Sequence, residues 1–309
     1  MNHSAENSLA QLAKYTTIVA DTGDLNAISR LKPVDATTNP SLIAAAFASG
    51  DHDELLSQIK GLDIDDAIDT LTVALGVEIS KRIQGRISTE VDARLSFDTD
   101  ATVKKALEYI ERYAQAGVDA SRVLIKIAAT YQGIQAAHTL EKQGIHCNLT
   151  LLFTQTQAHS CADAGVTLIS PFVGRITDWQ KAHENRQHIA ISEDMGVNSV
   201  KSIYQFYKSH GYHTQVMGAS FRSIEQIIAL AGCDLLTISP TLLDELANSH
   251  LPVLPVLSPS QNTLDKPAAI SGDAFEREQN ANPLNELLLK GIDGFIAARE
   301  TLAKQLSAN

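Results

Sequence analysis

Cysteine is scarce: Cys147, Cys161 and Cys233 are the only three, spaced as neither a disulfide framework nor a metal-binding cluster. That usage fits a reducing compartment, and a cytoplasmic location is expected. Long apolar runs are missing as well, so nothing reaches the ~20 residues of a membrane-crossing helix. The opening Met1-Asn2-His3-Ser4 runs into polar sequence, and no secretory leader is expected. Basic residues are outnumbered 25 to 36, for a formal net charge of -11. This argues against non-specific binding to nucleic acid or a membrane surface; an anionic small molecule would need arginines gathered locally. No glycine-rich dinucleotide or P-loop pattern follows an apolar run, no Gly-x-Ser-x-Gly elbow occurs, and no cofactor is expected. Metal binding is disfavoured too: after His183-Glu184 the second histidine is His188, one residue too far to share a helix face. Asn148-Leu149-Thr150 matches a glycosylation acceptor but lies in an apolar run and reads as accidental. Neither an internal repeat nor a low-complexity tract is present.

Against this background one residue is out of place. Lys126 sits inside Val123-Leu124-Ile125-Lys126-Ile127-Ala128, otherwise a strand buried on both faces. A lysine there either balances a buried charge or serves as a Schiff-base nucleophile, because desolvation favours the neutral amine that attacks carbonyls.

Seven further runs carry polar groups near their C-terminal ends: Ile18 to Asp21, Asp35 to Asn39, Ile87 to Asp92, Cys147 to Phe153, Leu168 to Phe172, Val216 to Ser220 and Leu236 to Ser239. Strand side chains alternate with period 2, so Ser88 with Glu90, Leu124 with Lys126, Asn148 with Thr150 and Ser170 with Phe172 each share a face. Between the runs the spacing turns helical, as over Ala101 to Ala116, Thr130 to Lys142, Thr154 to Ala164, Ser199 to His210 and Ser223 to Ala231. Gly117, Gly144, Gly165, Gly211 and Gly232 stand where left-handed caps are wanted. Eight such cycles predict an α/β fold, a (β/α)8 TIM barrel with additional helices, whose active site lies at the C-terminal strand ends. The 309 residues, 44% of them hydrophobic, are expected to form a single barrel domain. A helix is expected near Thr241 to Asn248, a surface excursion over Ser249 to Ala281, and a closing helix from Asn285 to Leu306 that either borders the site or simply packs outside.

The polar strand ends form motifs: Val19-Ala20-Asp21-Thr22-Gly23-Asp24, Asp35-Ala36-Thr37-Thr38-Asn39-Pro40, Ser88-Thr89-Glu90-Val91-Asp92-Ala93-Arg94, Leu124-Ile125-Lys126, Cys147-Asn148-Leu149-Thr150-Leu151-Leu152-Phe153, Ser170-Pro171-Phe172-Val173-Gly174-Arg175 and Gly218-Ala219-Ser220-Phe221-Arg222. In this order they closely resemble the transaldolase family, from about Ala13 to the C-terminal helix. The resemblance implies transfer of a dihydroxyacetone unit from sedoheptulose 7-phosphate or fructose 6-phosphate to an aldose phosphate, glyceraldehyde 3-phosphate or erythrose 4-phosphate. It implies Lys126 as Schiff-base nucleophile, Glu90 as proton shuttle through a water, and Asp21 as acceptor of the hydroxyl proton during carbon–carbon cleavage. Asn39 and Asn148 can donate and accept, which suits them to the fragment's hydroxyls, with Ser170 and Thr150 as lesser partners. Arg175, Arg222 and Ser220 match the family's phosphate positions, and a homodimer is implied by the resemblance alone.

Two alternatives stay open. Fructose 6-phosphate aldolases carry Gln where this chain has Glu90 and Tyr where it has Phe172; Phe172 favours transfer. A barrel that binds sugar phosphate without turnover would keep the arginines but has no use for Lys126 with both acids. Taken singly, Asp21 reads as a cap or turn residue before Gly23, Thr37 and Ser88 as strand residues bonding nearby backbone, and Asp92 with Arg94 as a structural pair, with Asp35 read in the same way. Thr154-Gln155 departs from the family's usual Ser-Phe, leaving Gln155 either on the outer helices or at the rim.

Overall fold

All eight apolar runs form parallel strands, and they close on themselves in chain order. The computed structural model describes residues 6–48, 53–259 and 264–307. The chain runs through α1 (Ser8–Leu12), β1 (Thr17–Asp21), α2 (Leu25–Leu31), β2 (Asp35–Thr37), α3 (Pro40–Ala48), α4 (Asp53–Ser57), α5 (Ile64–Ser80) and β3 (Ile87–Glu90). It continues with α6 (Thr99–Gln115), β4 (Val123–Ala128), α7 (Tyr131–Lys142), β5 (Cys147–Leu152), α8 (Gln155–Asp163), β6 (Leu168–Pro171), α9 (Gly174–Glu184) and α10 (Met195–Ser209). The last elements are β7 (Gln215–Gly218), α11 (Ile224–Ile228), β8 (Leu235–Ile238), α12 (Pro240–Asn248), α13 (Gly272–Ala281) and α14 (Asn285–Ser307). This is the (β/α)8 barrel with additional helices that the alternation predicts.

Period-2 alternation divides each strand between two environments. Ile125, Ile127, Leu149, Ile169, Val216 and Leu236 face outward into the main core against the helices. Val19, Leu124, Leu168, Met217 and Leu235 turn inward and pack together as an apolar floor inside the barrel. Asp21, Lys126 and Ser170 stand two residues further along β1, β4 and β6, so they rise above that floor at the C-terminal ends of the strands. The floor seals the barrel below and leaves polar side chains only one direction to face.

A third apolar cluster borders the mouth. Leu284, Leu288, Ile292 and Phe295, from α14 and the residue before it, pack with Ala128, Leu151, Phe153, Phe172, Ile176 and Ala219. The C-terminal helix therefore borders the site rather than lying only outside. Gly291 makes the approach possible: a Cβ there would lie 2.6 Å from a Leu151 methyl and 3.1 Å from Arg175 Nη1. Leu151 itself has φ +53°, beside a register shift between β5 and β6. The slip breaks the alternation after Thr150 and turns Leu151 into the mouth cluster while Leu152 joins the outer core.

The excursion is only partly irregular. Residues 249–259 and 264–271 carry no helix or strand, but Gly272–Ala281 is helical, which corrects the expectation of a surface loop to Ala281. Ser271 caps this helix, and Phe275 and Gln279, four residues apart, form its buried stripe: Phe275 meets Tyr131, and Gln279 accepts a hydrogen bond from Thr154. Upstream, the Val256 and Leu257 amides donate to Ala231 O, with Leu257 O where a Cβ on Gly232 would lie. Gly232, at φ +96°, accommodates both the turn and that contact. Residues 260–263 of the expected excursion lie outside the described residues. Helix α10 begins at Met195, four residues before the spacing indicates, because buried Asp194 caps it and accepts from Val197 N.

Candidate active site

Register fixes the centre of the site. Glu90 on β3, Lys126 on β4 and Asn148 on β5 are direct neighbours along one row, and Thr37 on β2 lies between Asp21 and Ser88 in another. Lys126 and Glu90 are each 4% exposed, with Nζ 3.1 Å from Glu90 Oε2. Lys126 Nζ donates to the Thr38 carbonyl at 3.0 Å, and Glu90 Oε2 has no directed hydrogen-bond partner among the described residues. Burial raises the Glu90 carboxyl above the ordinary glutamate range; Lys126, and more weakly Arg175, pull it back down.

Asp21 is not a turn residue. Its carboxylate accepts from Thr37 Oγ1 at 2.9 Å, and Thr37 is linked to Thr237 Oγ1 at 2.7 Å. Burial raises this carboxyl too, opposed first by Lys126 and then by the Thr37 hydrogen bond. Thr37 and Ser88 thus differ from their expected strand roles, since Ser88 Oγ accepts from Asn148 Nδ2 at 3.0 Å. Asn148 is fully buried, and its Oδ1 accepts from Ser170 Oγ at 2.7 Å. Asn148 therefore braces the floor of the site from beneath, retaining one amide hydrogen.

A cavity of about 210 Å³ opens above this layer. Asp21, Asn39, Lys126, Thr150, Ser170, Phe172, Arg175, Ser220 and Arg222 all line it, so nine of the eleven expected site residues meet there. Glu90 and Asn148 flank Lys126 on the adjacent strands and are not among the lining residues. Thr150 Oγ1 is buried and has no protein partner among the described residues. Asn39 spends its Oδ1 capping α3, accepting from Leu42 N at 3.0 Å, which leaves its amide hydrogens for a ligand.

At the rim, Arg175 lies over the Phe172 ring at 4.9 Å and the Phe295 ring at 5.8 Å. Burial, aided by neighbouring Arg222, lowers its pKa, yet a guanidinium stays charged at any ordinary pH. Arg222 approaches Ser220, a left-handed residue at φ +61°, and pairs with Asp178. Two arginines thus stand together at the open end of an otherwise acidic protein.

The sequence reading named the Leu236 to Ser239 run but gave no site role to Thr237 or Ser239, and it missed Phe295 and Asp178. Thr237 and Ser239 alternate within the β8 run and could have been read as inward-facing; Phe295 and Asp178 sit on helices and reveal their role only through packing. Gln155 is exposed on α8 and does not line the cavity. Asp92 and Arg94 do pair, as expected, and Asp35 pairs with Arg86. All three cysteines are buried, and burial pushes their thiols up, Cys233 to about 12, leaving little thiolate for redox chemistry. Among the described residues no helix is long and apolar enough to cross a membrane.

Fold and site together define a barrel built around a buried lysine, with two carboxyls beside it and two arginines at the rim. The family model for transaldolase/fructose-6-phosphate aldolase matches residues 18–306. Relatives called transaldolase are 50% identical in Shewanella sp. (strain MR-4) and 51% identical in Shewanella oneidensis and Shewanella piezotolerans, each alignment covering 98% of both chains. The chain belongs to the transaldolase/fructose-6-phosphate aldolase family.

Proposed function

We propose that this chain is a transaldolase, moving a dihydroxyacetone unit from a ketose phosphate to an aldose phosphate through a Schiff base on Lys126. The observation that supports this most is the Lys126 amine, buried 3.1 Å from Glu90 at the end of a cavity whose far rim holds Arg175 and Arg222. The neutral amine adds to the ketone carbon, giving a carbinolamine. Glu90, through a water, delivers the proton with which the hydroxyl leaves as water, and an iminium remains. Asp21 removes the proton from the hydroxyl on the carbon that departs. The carbon–carbon bond breaks toward the iminium nitrogen, releasing an aldehyde and leaving an enamine.

Asn39, Asn148, Ser170 and Thr150 then hold the three-carbon fragment until the acceptor aldehyde arrives, and the steps reverse onto it. Arg175, Arg222 and Ser220 hold the phosphate. Phe172 offers no hydroxyl to place a water for protonating the enamine, which supports transfer over simple aldol cleavage. A cytoplasmic homodimer of single-domain subunits belongs to the same reading, and light scattering tests the assembly.

The test is to incubate the protein with fructose 6-phosphate and borohydride and search by mass spectrometry for a reduced three-carbon adduct on Lys126. Product formation must also depend on added glyceraldehyde 3-phosphate or erythrose 4-phosphate. Free dihydroxyacetone released at the same rate without acceptor would assign an aldolase instead.

A further inference from the structure

We propose that Asp178 is a positioning residue for phosphate recognition: it aims Arg222 at the anion while offsetting part of its charge, so that phosphate binds less tightly than the two arginines alone allow. The proposal rests on the reading of Arg175 and Arg222 as the phosphate site.

The two guanidiniums are held differently. Arg175 makes no ion pair among the described residues and is kept in place by the Phe172 and Phe295 rings. Arg222 instead gives one edge to Asp178, with Nε at 2.9 Å and Nη2 at 2.8 Å from the same oxygen, Oδ2. Its other terminal nitrogen, Nη1, points back toward its own loop, 3.4 Å from Ser220 Oγ, 3.4 Å from the Phe221 carbonyl and 3.5 Å from the Ser220 carbonyl. The edge fixed by Asp178 thus leaves Nη1 beside the Ser220 hydroxyl, in the cavity wall.

Charge gives the second half. Arg175 and Arg222 repel one another, and Asp178 counters the field at Arg175 as well as pairing with Arg222. A docked phosphate dianion meets this carboxylate as a like charge. The Arg222–Asp178 pair is about half exposed, so its worth to folding is small. Its effect on an anion beside it is not, because neither charge is separated from the ligand by as much as a Debye length.

Both contacts fall on one oxygen, which allows orientation and charge to be separated. Asp178→Asn keeps a carbonyl oxygen for Nε and Nη2 but removes the charge; Asp178→Ala removes both. Calorimetric titration with inorganic phosphate is expected to show Asp178→Asn binding roughly three- to tenfold tighter than the wild type. Asp178→Ala, whose Arg222 is charged but unaimed, binds more weakly than Asp178→Asn. The KM for fructose 6-phosphate falls in the Asn variant without a rise in kcat, as expected when ground state and transition state gain equally.

A purely structural role predicts that both variants weaken phosphate binding, and that result overturns the proposal. So does a wild type that fails to bind phosphate. Borohydride trapping of dihydroxyacetone on wild-type Lys126 is run separately. Its failure, with the phosphate ranking intact, removes the catalytic reading and leaves the Asp178 assignment standing.

Discussion

Glu90 and Lys126 face each other across adjacent strands in direct register, with Oε2 3.1 Å from Nζ and both side chains buried. One backbone pairing therefore sets the distance between the buried amine and the acid beside it. Moving either strand by a residue would turn its side chain out of the barrel.

The pair makes stability depend on pH in a way that Lys126→Met exposes. Burial raises the Glu90 carboxyl and Lys126 restrains it. Without the lysine the carboxyl rises further. A raised acid supports folding fully below its unfolded pKa, and that support is lost as pH climbs through the folded value. Lys126→Met is thus expected to match the wild type near the ordinary carboxylate range and to fall behind it at higher pH. The deficit approaches the roughly 3–5 kcal/mol of a broken buried pair. Urea unfolding at several pH values measures it, and a pH-independent difference would contradict the account. The same variant forms no borohydride-trapped adduct.

Glu90→Gln keeps the shape and loses the proton shuttle. Imine formation is expected to slow by roughly 10²- to 10⁴-fold, while phosphate affinity, set at the rim, stays within about twofold. Rapid-quench trapping with borohydride gives the rate. Unchanged trapping kinetics would remove Glu90 from the proton path.

Thr37→Val tests Asp21 through the cavity-lining neighbour that donates to its carboxylate. The lost hydrogen bond at 2.9 Å is one that lowers the Asp21 pKa. Its carboxyl rises further, so the acid limb of kcat/KM moves to higher pH, because Asp21 must be ionised to accept the proton. Losing one hydrogen bond to a charged group, worth roughly 1.5–3 kcal/mol, corresponds to a shift of about one to two pH units. An acid limb that stays in place would dissociate Thr37 from Asp21.

What the sequence made legible follows from where local pattern decides the outcome. Lys126 stood out because a strand buried on both faces has no ordinary use for a charge. Asp21, Ser170 and Thr150 could be placed at strand ends because period 2 survives burial; Ser220, out of phase with Met217 and left-handed at φ +61°, was reached only through the family resemblance. Asn148 was found, but its bracing by Ser88 and Ser170 was not, since bonds across three strands depend on register rather than on any single run. The slip at Leu151 hid which of Leu151 and Leu152 faces the mouth. Helix α13 went unseen because two buried residues, Phe275 and Gln279, are too few to register as periodicity in a polar segment.

Phe295 was the least legible member of the site and carries a prediction of its own. It lies on α14, far in sequence from every strand, and reaches the cavity only because Gly291 lets that helix settle against Leu151 and Arg175. Phe295→Ala removes a ring that is 4% exposed, packs against Arg175 and forms part of the wall of the cavity that Lys126 lines. The core cost is about 3 kcal/mol, at the low end for Phe→Ala because the site borders a cavity into which the neighbours can relax. The functional cost differs in kind. With the mouth less sealed, water reaches the enamine more often, and a larger share of turnovers should end in free dihydroxyacetone without an acceptor. Phe295→Leu, which keeps most of the volume, should retain more of both stability and transfer. Measuring dihydroxyacetone release without acceptor in the two variants separates sealing from stability: equal release in Ala, Leu and wild type would mean that α14 braces the barrel without guarding the intermediate.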